Sequence, residues 1–443
     1  MSFTPAHLLQ QLVQLPAARR YWVAYSGGSD SHVLLHSIAT LREQLAVPFH
    51  AIHVNHGLQS QANEWGAHCQ QVCDGLSIPL ELARVDAVHA PGESPEEAAR
   101  EARYRVFADI LQDDDMLLMA HHQDDQAETL MLQMLRGAGV KGLAAMPDIT
   151  RLGRGWLTRP LLGFTRSILC HYARQQGLIW IDDPSNNDTR FDRNFMRHEV
   201  MPLLHQRWPA TANTLSRVAG HMAESASLLR QLAEQDFAQH RLAGKRLVVS
   251  SLLTLDVARQ RNLLRHWLSD VCKLSTPDRK HLNRIVHEVL PADENANPVV
   301  SWRGGEVRRY RGELYALQPE SKPADTLQTI LWDAKQALNL HNRILIPHLV
   351  KGQGVNRQLM QQGTLSVRFR QGGEKCRPVG RAHRHSLKKL FQEWGVPPWQ
   401  RESVPLLCVG DDIVQVVGYC ICEPYQTNPQ QEGLVITLES AQA

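Results

Sequence analysis

Short apolar runs separated by amphipathic stretches set the pattern of the first half of the chain. Trp22–Tyr25, Phe49–Asn55, Leu80–Val85 and Met116–Ala120 are the strand candidates, with helical patterns between them. One helix is expected to begin at Ser94-Pro95-Glu96-Glu97. There Ser94 serves as cap, Pro95 takes the first helical position, and Glu97 completes a capping box. Strand-helix alternation from Tyr21 to about Asp183 predicts an α/β fold, a doubly wound, mostly parallel sheet covered by helices on both faces. Ligands of such sheets sit at the carboxyl ends of the strands. Three segments follow predicted strand ends, namely Ser26–Ser31, Asn55-His56-Gly57 and His121–Asp125, so all three should face one crevice.

The pattern changes after about residue 210. Leu215, Val218, Met222, Leu229 and Leu232 keep a helical period and predict one long amphipathic helix. Thr276-Pro277 is expected to start another, with Leu282, Ile285, Val286 and Val289 on its apolar face. Trp302–Leu317 alternates like a hairpin around Gly304-Gly305 and Gly312, and Pro319–Asp325 reads as a linker. Beyond it, short strands surround one clear helix, capped by Ser386 and buried through Leu387, Leu390, Phe391 and Trp394. The expected domains are therefore 1–210, a mainly helical 211–320, and a small mixed α+β domain over 330–443.

Composition narrows the class. A chain of 443 residues with 43% hydrophobic and 21% charged content can bury real cores. The net charge of +3 announces no global field, so any basic surface must be local. Eight cysteines scattered over this length suit a reducing compartment better than a disulfide framework. The N-terminal stretch is no signal h-region and no long uncharged apolar stretch follows, so a cytoplasmic protein without a membrane span is expected.

The chemistry concentrates in a few places. Ser26-Gly27-Gly28-Ser29-Asp30-Ser31 lies between a strand and a helix, where free N–H groups and the positive helix end attract phosphate. It lacks the Gly-Lys-Ser/Thr ending of a Walker loop. Asp30 beside the phosphates is a candidate Mg²⁺ ligand. Asp124, Asp125 and Glu128 share a face in the first turns of a helix after the Met116–Ala120 strand. Acids there stabilise the helix dipole. Bunched beside a phosphate loop, they also suit Mg²⁺ binding, or recognition and deprotonation of an amine. His121 and His122 read as loop hydrogen-bonders or contacts to nucleotide or RNA. His53–Gly57 is a turn or a nucleotide contact. Arg136–Gly142 suits a loop closing on phosphate, and Arg193 and Arg197 follow an Asp182–Asn186 loop. Towards the C-terminus Arg368, Arg370, Lys375, Arg377, Arg381, Arg384, Lys388, Lys389 and Arg401 are interrupted only by Glu374 and Glu393. A strand face and a helix face of cations together match a phosphate backbone.

Taken together, these motifs resemble the tRNA(Ile)-lysidine synthetase family of the PP-loop ATP pyrophosphatase superfamily. The matching stretches are Ser26–Ser31, His53–Leu58, Ala102–Arg105, His121–Thr129, Arg136–Met146, Arg159–Leu162, Asp183–Arg197 and Gly380–Leu407. Gln59 departs from the pattern, where the family often has Arg. The resemblance implies a Rossmann-like PP-loop catalytic domain followed by two tRNA-binding domains. It implies that ATP adenylates the wobble cytidine of a CAU-anticodon tRNA(Ile), and that L-lysine then displaces AMP. On this reading Ser26, Gly27, Gly28, Ser29, Asp30, Ser31, His56 and Arg103 bind ATP. Asp30 and Asp124 hold Mg²⁺, and Asp30, Asp124, Asp125 and Glu128 are catalytic. Arg193, Arg197, Arg368, Arg370, Arg381, Lys388 and Lys389 bind tRNA. The alternatives are a PP-loop tRNA thiolase, which would need a reactive cysteine pair near the loop, and a tRNA-binding protein with a silent nucleotide site. The oligomeric state is not legible.

Overall fold

The apolar runs of the first half become neighbouring strands of one six-stranded sheet. In the computed structural model these are β1 (Arg20–Ala24), β2 (Phe49–Asn55), β3 (Leu80–Arg84), β4 (Asp115–Leu118), β5 (Ile149–Leu152) and β6 (Gly155–Thr158). Their order is β3-β2-β1-β4-β6-β5. All neighbours pair in parallel except β5, which runs antiparallel along β6. The structure describes residues 2–45, 47–55, 62–85, 95–293, 296–319, 329–340, 343–360 and 364–440. The chain divides into two compact units, Met1–Leu232 and Ala233–Ala443.

Strand alternation sends successive side chains to opposite faces, and both faces are covered. Tyr21, Val23, Met116 and Leu118 pack with helices α1 (Pro5–Val13), α2 (Ser29–Thr40) and α3 (Ala62–Gly75). Trp22, Leu117 and Ile52 pack against Phe107 of α4 (Pro95–Ile110) and Leu111 just after it on the other face. That is the expected doubly wound arrangement. The helix predicted at Ser94 does begin at Pro95, while the Ser94 cap itself lies outside the described residues. The β5–β6 hairpin has no counterpart among the expected strands. Its turn needs Gly153 (φ +55°), because a Cβ there would stand 2.3 Å from the carbonyl oxygen of Ala108.

The long helix expected after about residue 210 runs from Thr211 to His240. The next predicted helix starts later than Thr276-Pro277, at Arg279, because the Asp278 carboxylate caps it by accepting the His281 N–H at 2.8 Å. Leu282, Ile285, Val286 and Val289 are buried as expected, around Trp267. The hairpin expected over Trp302–Leu317 is present as Gly305–Tyr310 paired with Glu313–Leu317. Val299–Trp302, Gly305–Tyr310 and Glu313–Leu317 form a meander that also pairs with Leu247–Val248.

Further along, two antiparallel sheets share a separate core. One is built on Arg343–Lys351 paired along its length with Glu432–Ser440; the other centres on Leu365–Arg368, Leu406–Val409 and Asp412–Val416. The helix Leu387–Glu393 begins where the Ser386 hydroxyl accepts the Lys389 N–H. No helix among the described residues is long and apolar enough to cross a membrane.

Trp267 is fully buried and donates its indole N–H to the Lys245 carbonyl at 2.6 Å. Trp267→Ala is expected to destabilise its unit by about 3–5 kcal/mol. Chemical denaturation checks this, and an unchanged midpoint contradicts the assignment of this core.

Candidate active site

The strand order changes direction between β1 and β4, so the loops leaving their carboxyl ends border one crevice. From β1 the chain enters Ser26–Ser31. Gly27 takes φ +86°, and a Cβ on it would lie 3.0 Å from Ile181 Cδ1 and 3.2 Å from Cys69 Sγ. The Ile181 N–H also donates to the Gly27 carbonyl at 3.0 Å, which seats the Ile181 segment directly on the loop. Gly28 caps α2 with extended backbone, leaving the first-turn N–H groups without helical acceptors. The Ser31 hydroxyl donates to the Gly28 carbonyl at 3.0 Å and accepts the Ser26 N–H at 3.2 Å. The loop is therefore braced by its own serines around a positive helix end.

From β4 the chain enters α5 (Gln123–Leu135) through His122, which is 1% exposed. His122 is the helix cap: its Nδ1 accepts the Asp125 N–H at 3.2 Å, and the Asp125 carboxylate accepts the His122 N–H at 3.0 Å. This leaves Nε2 to carry the proton towards Asp30, 3.6 Å away. Burial opposes charge on the ring, but Asp125, then Asp30 and Asp124, outweigh it and raise its pKa above the ordinary imidazole value. His122 thus links the phosphate loop to the acidic helix. Sequence reasoning left it a generic loop histidine. The signal was its place three residues before Asp125, the spacing of a reciprocal cap.

The four acids separate into two pairs. Asp125 and Glu128 are nearly sealed from solvent and meet Arg193 and Arg197. Arg197 binds Glu128 through Nε and Nη2 at 2.8 and 2.9 Å, and Asp125 through Nη2 at 2.8 Å. Arg193 reaches Asp125 at 2.9 Å and Glu128 at 3.4 Å. Against the burial that would raise it, His122 and Arg193 lead the charges that hold the Asp125 carboxyl well below the usual range. Asp30 and Asp124 instead keep 29% and 23% of their side-chain surface open, with no Lys or Arg ion pair among the described residues. Asp124 accepts the Arg166 N–H at 2.7 Å. Two half-open carboxylates on either side of a histidine are a donor set that fits a hard divalent cation.

The remaining expected residues divide as follows. Arg103 lies half-buried on α4, and His56 falls outside the described residues. Arg193 and Arg197, expected on tRNA, lie against the acids. In the second unit Arg368 and Arg370 are half-buried beside Glu374, at 3.4 and 4.0 Å, and Arg381 pairs with Glu393 at 2.6 Å. Arg401 is buried and donates to the Val396 carbonyl at 2.9 Å, a structural role that removes it from the basic surface. Lys388 and Lys389 are exposed on their helix.

Family models describe the chain in three segments. A PP-loop domain matches residues 2–204, a TilS substrate binding domain matches 247–315, and a TilS substrate C-terminal domain matches 365–438. The chain is 45% identical over 433 residues to the tRNA(Ile)-lysidine synthase of Coxiella burnetii, spanning 97% of this chain and 96% of that protein. It is 42% identical over 420 residues to the tRNA(Ile)-lysidine synthase of Methylococcus capsulatus, spanning 94% and 95%. Among solved structures, the U34-tRNA thiolase NcsA from Methanococcus maripaludis aligns with a TM-score of 0.43 and 18% identity, over 50% of this chain and 78% of that one. At that score the likeness carries no argument.

Removing one guanidinium from the acid pair leaves a buried carboxylate undercompensated. Arg197→Ala is expected to cost about 3–5 kcal/mol, and Arg197→Lys, which lacks the fork, to recover only part of it. Denaturation of the three proteins side by side tests this; equal stability of all three contradicts it.

Proposed function

The chain belongs to the tRNA(Ile)-lysidine synthase family, ATP-dependent ligases that form lysidine on tRNA(Ile), and on that premise we propose how its own residues divide the work. The observation that carries the proposal is the junction of the phosphate loop with the acidic helix through His122.

The Ser26–Ser31 loop holds the pyrophosphate part of ATP on backbone N–H groups and serine hydroxyls. Asp30 and Asp124 would hold Mg²⁺, which would supply positive charge to the triphosphate. The wobble cytidine of the CAU anticodon leaves its stack to reach the crevice. Its C2 oxygen bonds to the α-phosphorus, pyrophosphate departs, and the base becomes an activated adenylate. The ε-amine of L-lysine then bonds to C2, AMP leaves with the oxygen, and the amine loses its surplus protons.

Asp125 and Glu128, nearly sealed and neutralised by Arg193 and Arg197, suit positioning the acidic helix and its His122 cap better than meeting that amine directly. Carboxylates held ionised by two arginines are weak bases, so proton abstraction is the poorer role for them. Arg193 and Arg197 accordingly act by positioning the acids instead of by gripping tRNA. Exposed Lys388 and Lys389 are the better phosphate contacts in the C-terminal region.

The thiolase alternative needs a reactive thiolate. Cys69 and Cys73 sit in the apolar core, where burial pushes both thiols up to about 12, far from thiolate chemistry.

The direct test is incorporation of labelled lysine into unmodified CAU-anticodon tRNA(Ile) with and without ATP. ATP-dependent incorporation with AMP release is expected. AMP release without lysine transfer would redirect the search to another nucleophile. Asp30→Ala should lower turnover at least about a hundredfold while tRNA binding at low salt survives; normal turnover would remove Asp30 from the reaction. Lys388→Ala and Lys389→Ala should weaken tRNA binding and each reduce the logarithmic salt slope by about one. An unchanged slope places the phosphate contacts elsewhere.

A further inference from the structure

Three of the eight cysteines converge in the C-terminal region, outside everything assigned above. Cys376 comes from a short strand, Lys375–Cys376, and Cys420 and Cys422 from a Cys-x-Cys segment 44 residues further on. Their sulfur atoms all lie within 4.8 Å of one another. Cys376 and Cys422 are buried, while Cys420 is half-exposed. Buried cysteines are common as small apolar side chains, but three sulfurs meeting from two separate segments at this spacing are a ligand arrangement. A tetrahedral site with Zn–S bonds of about 2.3 Å sets its sulfurs about 3.8 Å apart. Sulfurs within 4.8 Å of one another are compatible with that spacing.

We propose that Cys376, Cys420 and Cys422 form a trithiolate site for a single thiophilic divalent cation, Zn²⁺ by its chemistry. The fourth position goes to water. Cys420 gives the ion its route in from solvent. A multi-iron cluster would hold its cysteine sulfurs farther apart, and a disulfide would leave one thiol of the three unused. Binding releases the three thiol protons to solvent and involves no change of oxidation state.

The placement gives the ion a purpose. Cys376 opens the hairpin Lys375–Cys376/His385–Ser386, which leads directly into the helix carrying Lys388 and Lys389. Cys420 pairs with Val416 in the adjoining sheet. A metal bridging them would clip the cation-bearing hairpin and helix to that sheet, fixing the basic surface at little cost in burial.

The test uses the full chain purified without chelator, its metal content, and a Co²⁺ titration of the metal-stripped, reduced protein. About one Zn²⁺ per chain and a thiolate-to-cobalt charge-transfer band are expected. Cys420→Ser, at the half-exposed position, should weaken Co²⁺ binding about tenfold or more, with metal-free stability unchanged. Reduced wild-type protein that carries no metal and gives no thiolate-to-cobalt band overturns the proposal. So does full metal retention by Cys420→Ser, or a disulfide between any two of the three. The wild-type titration decides the matter even if the variant fails to fold.

Discussion

Two nearly solvent-free carboxylates, Asp125 and Glu128, hold the catalytic end of the first unit together through their pairing with Arg193 and Arg197. Burying such charges costs several kcal/mol each unless geometry and hydrogen bonding offset it. Here the offset comes from matched helical spacings. The acids are three apart on α5, the arginines four apart on the Asp192–Val200 segment, and each arginine reaches both acids. Ala127, Met196, Met201 and Ala212 pack beside the cluster, so apolar burial and ion pairing fix the same contact. Asp125 is at once the partner of both arginines and the reciprocal cap of His122. Its position determines where His122 stands, and His122 meets Asp30 of the phosphate loop. Displacing the arginines would therefore be felt at the loop, through three consecutive contacts.

This pairing also explains how four acids can surround a site meant for phosphate. A helix N-terminus attracts anions, and uncompensated carboxylates around it would cancel that attraction. Two of the four are neutralised by guanidinium groups. The other two, Asp30 and Asp124, lie on either side of His122, half open to solvent. With triphosphate present, a cation on Asp30 and Asp124 would balance the charge at this end of the sheet, which is the role proposed for Mg²⁺.

Much of this was legible in the sequence, for identifiable reasons. The strands flanking the loop are short apolar runs, and their alternation with helices dictates a doubly wound sheet. The loop and the acidic helix are contiguous motifs. What the sequence hid are relations between distant positions. The β5–β6 hairpin is too short and too polar at its exposed positions to stand out from a loop. Arg193 and Arg197 gave no sign of their partners, 68 and 72 residues away from Asp125. The Asp278 cap was passed over because the Pro two residues into a helix pattern is normally the stronger start signal. Cys376 lies 44 residues before the Cys420-x-Cys422 pair, and nothing in the sequence shows that the fold brings them together.

The C-terminal basic residues teach the opposite lesson, that a sequence count overstates a field. Glu374 and Glu393 look like interruptions in a run of cations, yet they are the ion-pair partners of Arg368, Arg370 and Arg381. Arg401 is consumed in the interior. Only cations that meet phosphates in place of solvent counterions contribute to the release that drives binding. An internally paired arginine must first give up its carboxylate, which returns much of the gain. Lys388 and Lys389 face solvent, as do Lys375 and Arg377, so the effective basic surface is smaller than the sequence suggests and gathers on one short helix and the hairpin leading into it. For a chain whose net charge is only +3, that concentration is what makes a local polyanion surface possible. It also makes the orientation of that one helix, and of the hairpin leading into it, the property on which the proposed tRNA contact in this region would depend.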